Sequence, residues 1–334
     1  MTGIVVAIVV AVAFDFTNGF HDSANAIAAL VVTRAARPGQ AVVFASVFTL
    51  LGPLLAGTAV ANTVGGIVTV DPAMMVSVVG AGLTGALAWN LITWWRGLPS
   101  SSSHALIGGL VGAALVQGGP TAVFWGGFDG IRPVGVLGVL AALAISPVFG
   151  FFVGFVGRLG AERALRRAPR KIETSIRRSE WGTAGALAFS HGTNDAQKTM
   201  GVITLLLVSQ GYLASFTVPL WVKLLSAAAI TLGTSAGGWR IVRTIGRRIY
   251  PLRSLDGLVS QGSSAGVILV SGALGAPVST SQVVGSSVAG VGASQRWRHV
   301  RWGVVREMAL AWLMTLPASA VLAALALPLW RLFA

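Results

Sequence analysis

Asp22 and Asp195 lie 173 residues apart in two short polar runs that echo each other, Gly19-Phe20-His21-Asp22-Ser23-Ala24-Asn25 and Gly192-Thr193-Asn194-Asp195-Ala196-Gln197-Lys198. Each run interrupts a long apolar stretch. A carboxylate held inside such a stretch is costly unless it is paired or wetted, which makes it a functional-site candidate. The alternative is a structural pair, with Lys198 offsetting one aspartate. Recurrence of the aspartate in both runs favours the site, whereas Asp15 has no counterpart and is balanced between site and structure.

Two hydroxyl-rich runs suggest the opposite charge. Pro99 is followed by Ser100, Ser101, Ser102, Ser103 and His104, and 178 residues later Pro277 is followed by Val278, Ser279, Thr280, Ser281 and Gln282. Proline suits the first turn of a helix, so each run predicts a helix N-terminus where hydroxyls and free backbone N–H groups gather. Such ends bind anions, phosphate above all. Small-residue packing between helices is the competing explanation, and the matched pair with proline in the same place outweighs it. Carboxylates at Asp22 and Asp195 would repel an anion, so they are better suited to a cation or proton beside it. His21 and His104 lie within these runs and His191 directly precedes one, and an imidazole can exchange a proton near neutral pH or simply orient its neighbours.

The elements that must position these residues are membrane helices. Of 334 residues, 54% are hydrophobic and only 10% charged, with a mean hydropathy of +0.78 and no cysteine. This excludes a cytosolic enzyme, a disordered chain and a secreted disulfide scaffold. The net charge of +14 is concentrated in clusters, eight basic residues from Arg158 to Arg178 and five from Arg240 to Arg253, that separate apolar runs. That distribution argues against nucleic acid and for cytoplasmic loops. With no basic residue before Arg34, the first apolar run lacks a signal-peptide n-region and stays. Ten crossings are expected, near 3–32, 40–62, 73–95, 99–117, 134–157, 181–208, 213–236, 257–274, 276–293 and 304–330. The first and sixth are too polar in their middles for plain helices and are expected to break there.

A third echo, Leu51-Gly52 and Thr63-Val64-Gly65 with Leu232-Gly233 and Thr244-Ile245-Gly246, repeats at 181 residues. Three matches in one order imply two halves, 1–157 and 180–334, joined by a basic cytoplasmic loop at 158–179. Equivalent links carry opposite charge bias, and each half has an odd number of crossings. The expected fold is therefore an all-α polytopic protein with an inverted-topology repeat of two five-crossing halves, helices broken at mid-membrane, and both termini outside. That plan recurs in secondary transporters.

The runs at 19–26, 97–104, 189–198 and 277–281 resemble the inorganic phosphate transporter (PiT) family, closest to its bacterial low-affinity branch. The resemblance spans both halves. It implies an inner-membrane symporter importing inorganic phosphate, free or as a metal–phosphate complex, with protons, which the histidines in the motifs favour, or with sodium, and a homo-oligomer is compatible with it. It assigns phosphate binding to Ser101, Ser102, Ser103, Ser279, Thr280, Ser281, Asn25 and Asn194, with Lys198 favoured by position. Coupling falls to Asp22 and Asp195 with His21, His191 and His104, the two aspartates serving as metal ligands only if sodium is the ion. No other cofactor is implied. Gln282, where bacterial relatives often have histidine, and the short central loop depart from the pattern. A permease for another tetrahedral anion such as sulfate is the alternative. An intramembrane enzyme lacks a nucleophile–base pair or metal cluster beyond the adjacent Ser101 and His104, and a passive channel is separated from a carrier only by accumulation against a gradient.

Overall fold

The computed structural model describes residues 2–129, 132–169 and 171–333, and they form twelve α-helices with one two-residue strand pair, Phe128–Asp129 with Arg132–Pro133. In chain order the helices are α1 (Thr2–Val32), α2 (Pro38–Leu55), α3 (Ala59–Gly65), α4 (Pro72–Trp95), α5 (Ser102–Gly118), α6 (Gly135–Leu165), α7 (Ile172–Ser209), α8 (Leu220–Ala236), α9 (Trp239–Arg243), α10 (Ser254–Ala273), α11 (Thr280–Gln295) and α12 (Trp302–Trp330). Five of these, α1, α2, α4, α6 and α12, are long and apolar enough to cross a bilayer. The chain is an integral membrane protein. On α6 and α12, Phe149, Phe152, Leu313 and Leu325 stay exposed, as lipid-facing side chains do where the solvent is hydrocarbon.

Three expectations from the sequence need correction. The expected crossing at 40–62 is not one helix: it divides into α2 and the short α3, while α5, α8 and α11 have 17, 17 and 16 residues. The polar runs do not break their helices, because α1 and α7 continue unbroken through Asp22 and Asp195. Their polar side chains find partners on other helices, so the backbone keeps its own hydrogen-bond ladder, and the irregular backbone lies instead just before α5 and α11. Finally, most of 158–179 is helical, as the end of α6 and the start of α7. Arg158 in that stretch is buried and pairs with Asp256 on α10 at 2.7 Å.

Packing partners recur in a reciprocal pattern. α1 packs on α8 and α7 on α2; α4 packs on α5 and α12, while α10 packs on α11 and α6; α5 meets α12 as α11 meets α6. Glycines allow the closest approaches. A Cβ at Gly19 would strike the Ile230 carbonyl on α8, and one at Gly233 the Phe16 carbonyl on α1. The α7–α2 pair repeats this with Gly192 against the Thr49 carbonyl and Gly52 against the Phe189 carbonyl. Backbones in van der Waals contact are the usual device for holding membrane helices together, since lipid offers no hydrophobic drive.

Two apolar clusters result. One collects Phe14 of α1, Leu106 of α5 and Met200 of α7; the other collects Ile27 of α1, Leu187 of α7 and Val283 of α11. The polar stretches of α1 and α7, and the starts of α5 and α11, fall in the layer between them.

Candidate functional site

The N-termini of α5 and α11 are built alike. Gly97 and Gly275 both adopt a left-handed backbone, with φ of 66° and 72°, which turns the chain out of α4 and α10 and back toward the centre. Ser101 and Ser279 then cap the new helices, each hydroxyl accepting from the backbone N–H three residues on, His104 at 3.2 Å and Gln282 at 3.4 Å. Ser101, Ser102, Ser103, Ser279, Thr280 and Ser281 are all buried. The caps leave the other N–H groups of each first turn, and the positive end of each helix dipole, directed into the centre.

Asp22 meets α11, with the Ser281 hydroxyl donating to its Oδ1 at 2.5 Å and His21 Nδ1 lying 3.1 Å from the same oxygen. Asn25 Nδ2 donates to Ser281 Oγ at 3.1 Å, and Asn25 Oδ1 is buried without a partner among the described residues. Asp195 draws a denser set. Its Oδ1 accepts from Lys198 Nζ and from Asn194 Nδ2 at 2.8 Å, and its Oδ2 accepts from Thr280 Oγ1 at 3.2 Å. His191 Nδ1 approaches Oδ2 to 2.9 Å as a close contact rather than an aligned hydrogen bond. Lys198, almost completely buried, also donates to Ser103 Oγ at 2.5 Å and to the Val278 carbonyl at 2.9 Å. A buried ammonium with three acceptors has each of its protons engaged.

The structure thus brings Asp22, Asn25, Asn194, Asp195, Lys198, Ser103, Thr280, Ser281, His21 and His191 into one buried network. His104 stands apart, its Nδ1 lying 2.7 Å from Ser101 Oγ and 3.4 Å from Gln282 Nε2. Ser102 makes no side-chain hydrogen bond among the described residues, and the Ser279 hydroxyl is used as a cap. Asp22, His191 and Asp195 offer ligand atoms all within 4.8 Å of one another. Among the described residues no lysine or arginine contacts Asp22, and the unpartnered Asn25 oxygen lies one turn along the same helix. Two carboxylates and an amide oxygen beside one imidazole make an oxygen-rich donor set, of the kind hard cations take.

Sequence reasoning missed several members. The Val278 carbonyl accepts from Lys198, Asn194 and Ser103. Ser100, within the serine run, lies 3.4 Å from His21 Nε2 and 2.8 Å from Thr93. Asn18, one turn before Asp22, is buried with both amide atoms unpartnered among the described residues, and its place in the echo corresponds to His191. Asp15, balanced between site and structure on the sequence, accepts from Thr199 at 2.6 Å. A cavity of about 870 Å³ lined by Asn62, Thr63, Gly275, Pro277 and Val278 among others reaches the segment that precedes α11.

A helical membrane protein whose charged and hydroxyl side chains converge in a buried layer, with two helix N-termini aimed at it, is of the membrane-transporter class. Comparison with known proteins makes this specific. A family model described as the phosphate transporter family matches residues 18–168 and 158–323. A protein of Rhizobium meliloti (strain 1021) described as a "probable low-affinity inorganic phosphate transporter" is 43% identical over 321 residues, covering 95% of this chain and 93% of its own. One of Bacillus subtilis (strain 168) with the same description is 39% identical, covering 96% and 95%. A solved structure titled "The sodium-dependent phosphate transporter" superposes with a TM-score of 0.87 over all of both chains at 24% identity. The chain belongs to the phosphate transporter family.

Proposed function

We propose that the chain is a secondary active symporter that imports inorganic phosphate together with a proton or sodium ion across the plasma membrane. The observation that carries this reading is the meeting of two serine- and threonine-rich helix N-termini with a buried Asp22, Asp195 and Lys198. Ser101, Ser102 and Ser103 on one side and Ser279, Thr280 and Ser281 on the other would hold a tetrahedral anion through hydroxyls and backbone N–H groups, with Asn25 adding an amide proton and Asn194 and Lys198 exchanging their present protein acceptors for anion oxygens. Asp22 and Asp195 would hold the cation whose charge offsets that anion in a site shielded from water. If the ion is sodium, Asp22, Asp195 and Asn25 are its oxygen ligands. If it is a proton, His191 and His21 stand beside the two carboxylates to exchange it, while the contacts of His104 argue for a role at the α5 cap. The neighbour of matching fold is titled sodium-dependent, which makes sodium the first ion to test.

Reciprocal packing of α1–α8 with α7–α2 supports two inverted halves at 1–157 and 180–334, related by a two-fold axis in the membrane plane. With the 158–179 connection cytoplasmic, both termini lie outside. Labelled phosphate and sulfate uptake into proteoliposomes, under separately imposed proton and sodium gradients, tests the assignment. Accumulation of phosphate above equilibrium under one gradient is expected, and transport of sulfate alone would overturn it.

A further inference from the structure

Away from this centre, a cavity of about 830 Å³ opens where two membrane-crossing helices end, α1 at Val32 and α4 at Trp95. Arg96, Arg247 and Arg248 line it together with Trp95, Trp239 and Val32, and none of the described lining residues is acidic. The arginines are poorly compensated. Among the described residues Arg96 and Arg247 join no ion pair, and Arg248 reaches only Glu307, at 3.5 Å with both side chains about half exposed. Arg247 and Arg248 are delivered by a π-helical turn at Thr244–Arg248, an irregularity that commonly marks functional positions.

Three guanidinium groups around one cavity repel one another unless an anion joins them, and their planar forks match the oxygens of a phosphate. Trp95 and Trp239 are exposed beside them at the level where α1 and α4 leave the hydrocarbon, the depth at which indole rings and lipid headgroups meet. Basic pockets between membrane helices take anionic headgroups by this combination of charge and apolar wall. We infer that this cavity is a second phosphate-group site, separate from the buried centre, whose ligand is the headgroup of an anionic phospholipid or free inorganic phosphate.

Native mass spectrometry of the protein released from phosphatidylcholine nanodiscs with and without phosphatidylglycerol reads the lipid arm. Wild type is expected to retain phosphatidylglycerol preferentially. Arg96→Gln/Arg247→Gln/Arg248→Gln should lose that preference by roughly a hundredfold, at about tenfold or less per arginine, while Arg301→Gln leaves it unchanged. Equilibrium dialysis with labelled inorganic phosphate reads the other arm, where one phosphate more per chain on wild type than on the triple variant assigns the cavity to free phosphate. The single variant Arg247→Gln should show the same loss at smaller amplitude. Wild type with no lipid preference and no phosphate beyond that bound by the triple variant would overturn the inference, whatever the transport assay shows.

Discussion

Asn25 and Lys198 hold the same place in the two echoed motifs and make the same contact, Asn25 donating to Ser281 at 3.1 Å and Lys198 to Ser103 at 2.5 Å. Each reaches from a long helix to the first turn of a short one in the other half of the chain. The correspondence extends to their neighbours, since His21 touches Asp22 as Asn194 touches Asp195. Charge is where the two sets part: the second has a lysine to neutralise its aspartate and the first has an amide.

Lys198→Asn makes the second set copy the first and leaves Asp195 as a buried charge without its cation. Removing one partner of a buried pair costs about 3–5 kcal/mol, so the variant should melt well below wild type in detergent. Lys198→Asn/Asp195→Asn should recover much of that loss. A double variant no more stable than the single would show that the pair is not what Lys198 supports.

Glycine in the motifs serves packing rather than flexibility. Gly19→Ala and Gly192→Ala each place a Cβ against a backbone carbonyl of the neighbouring helix, which cannot give way as a side chain end can. Overpacking of this kind costs about 1–3 kcal/mol or more. Gly182→Ala, with nothing within 4 Å of the new carbon, should instead be neutral or gain up to about 1 kcal/mol of helix propensity. Thermal unfolding of the three variants checks the contrast.

The paired aspartates and hydroxyl runs were legible because their side chains are rare or clustered in an apolar chain and recur at a near-constant spacing. Val278 was not, since it acts through a carbonyl that any residue would supply. The unbroken course of α1 and α7 was hidden too. A polar run within an apolar stretch reads the same whether its backbone is irregular or its side chains are satisfied by other helices, as Asp22 is by Ser281 and Asp195 by Thr280. Arg158 sits in a basic stretch that has the pattern of a loop, because its partner Asp256 is 98 residues away, beyond any local pattern.

Orientation can be read by labelling, since the chain has no cysteine of its own. Ala168→Cys lies in the short connection between α6 and α7. On the positive-inside rule it should react with an impermeant maleimide only in inverted vesicles. Reaction from outside intact cells would reverse the proposed topology.

Ser102 and Ser281 should separate binding from architecture. Ser281 bonds Asp22 and Asn25, so Ser281→Ala is expected to lower both melting temperature and phosphate affinity. Ser102 has no such bond to lose, and Ser102→Ala should leave the melting temperature unchanged. If its hydroxyl meets the anion, losing a charge-assisted hydrogen bond of about 1.5–3 kcal/mol weakens phosphate binding roughly ten- to hundredfold. Wild-type affinity in Ser102→Ala would remove it from the cradle.

Coupling is the most exposed part of the reading. A carboxylate that carries the driving ion must exist in a charged form that a carboxamide cannot imitate, although Asn keeps the shape and most hydrogen bonds of Asp. Asp22→Asn and Asp195→Asn should therefore bring accumulated phosphate down to its equilibrium level, while exchange of labelled for unlabelled phosphate across the vesicle membrane persists. Exchange needs the anion site and its alternating exposure, not net movement of the coupling ion. The two variants should also differ. Asp195→Asn leaves the ammonium of Lys198 without its carboxylate, and that buried positive charge should hold phosphate more tightly and slow its release. Asp22→Asn strands no lysine, so its exchange rate should stay closer to wild type. Full accumulation by both variants would remove the aspartates from coupling, whichever ion drives uptake.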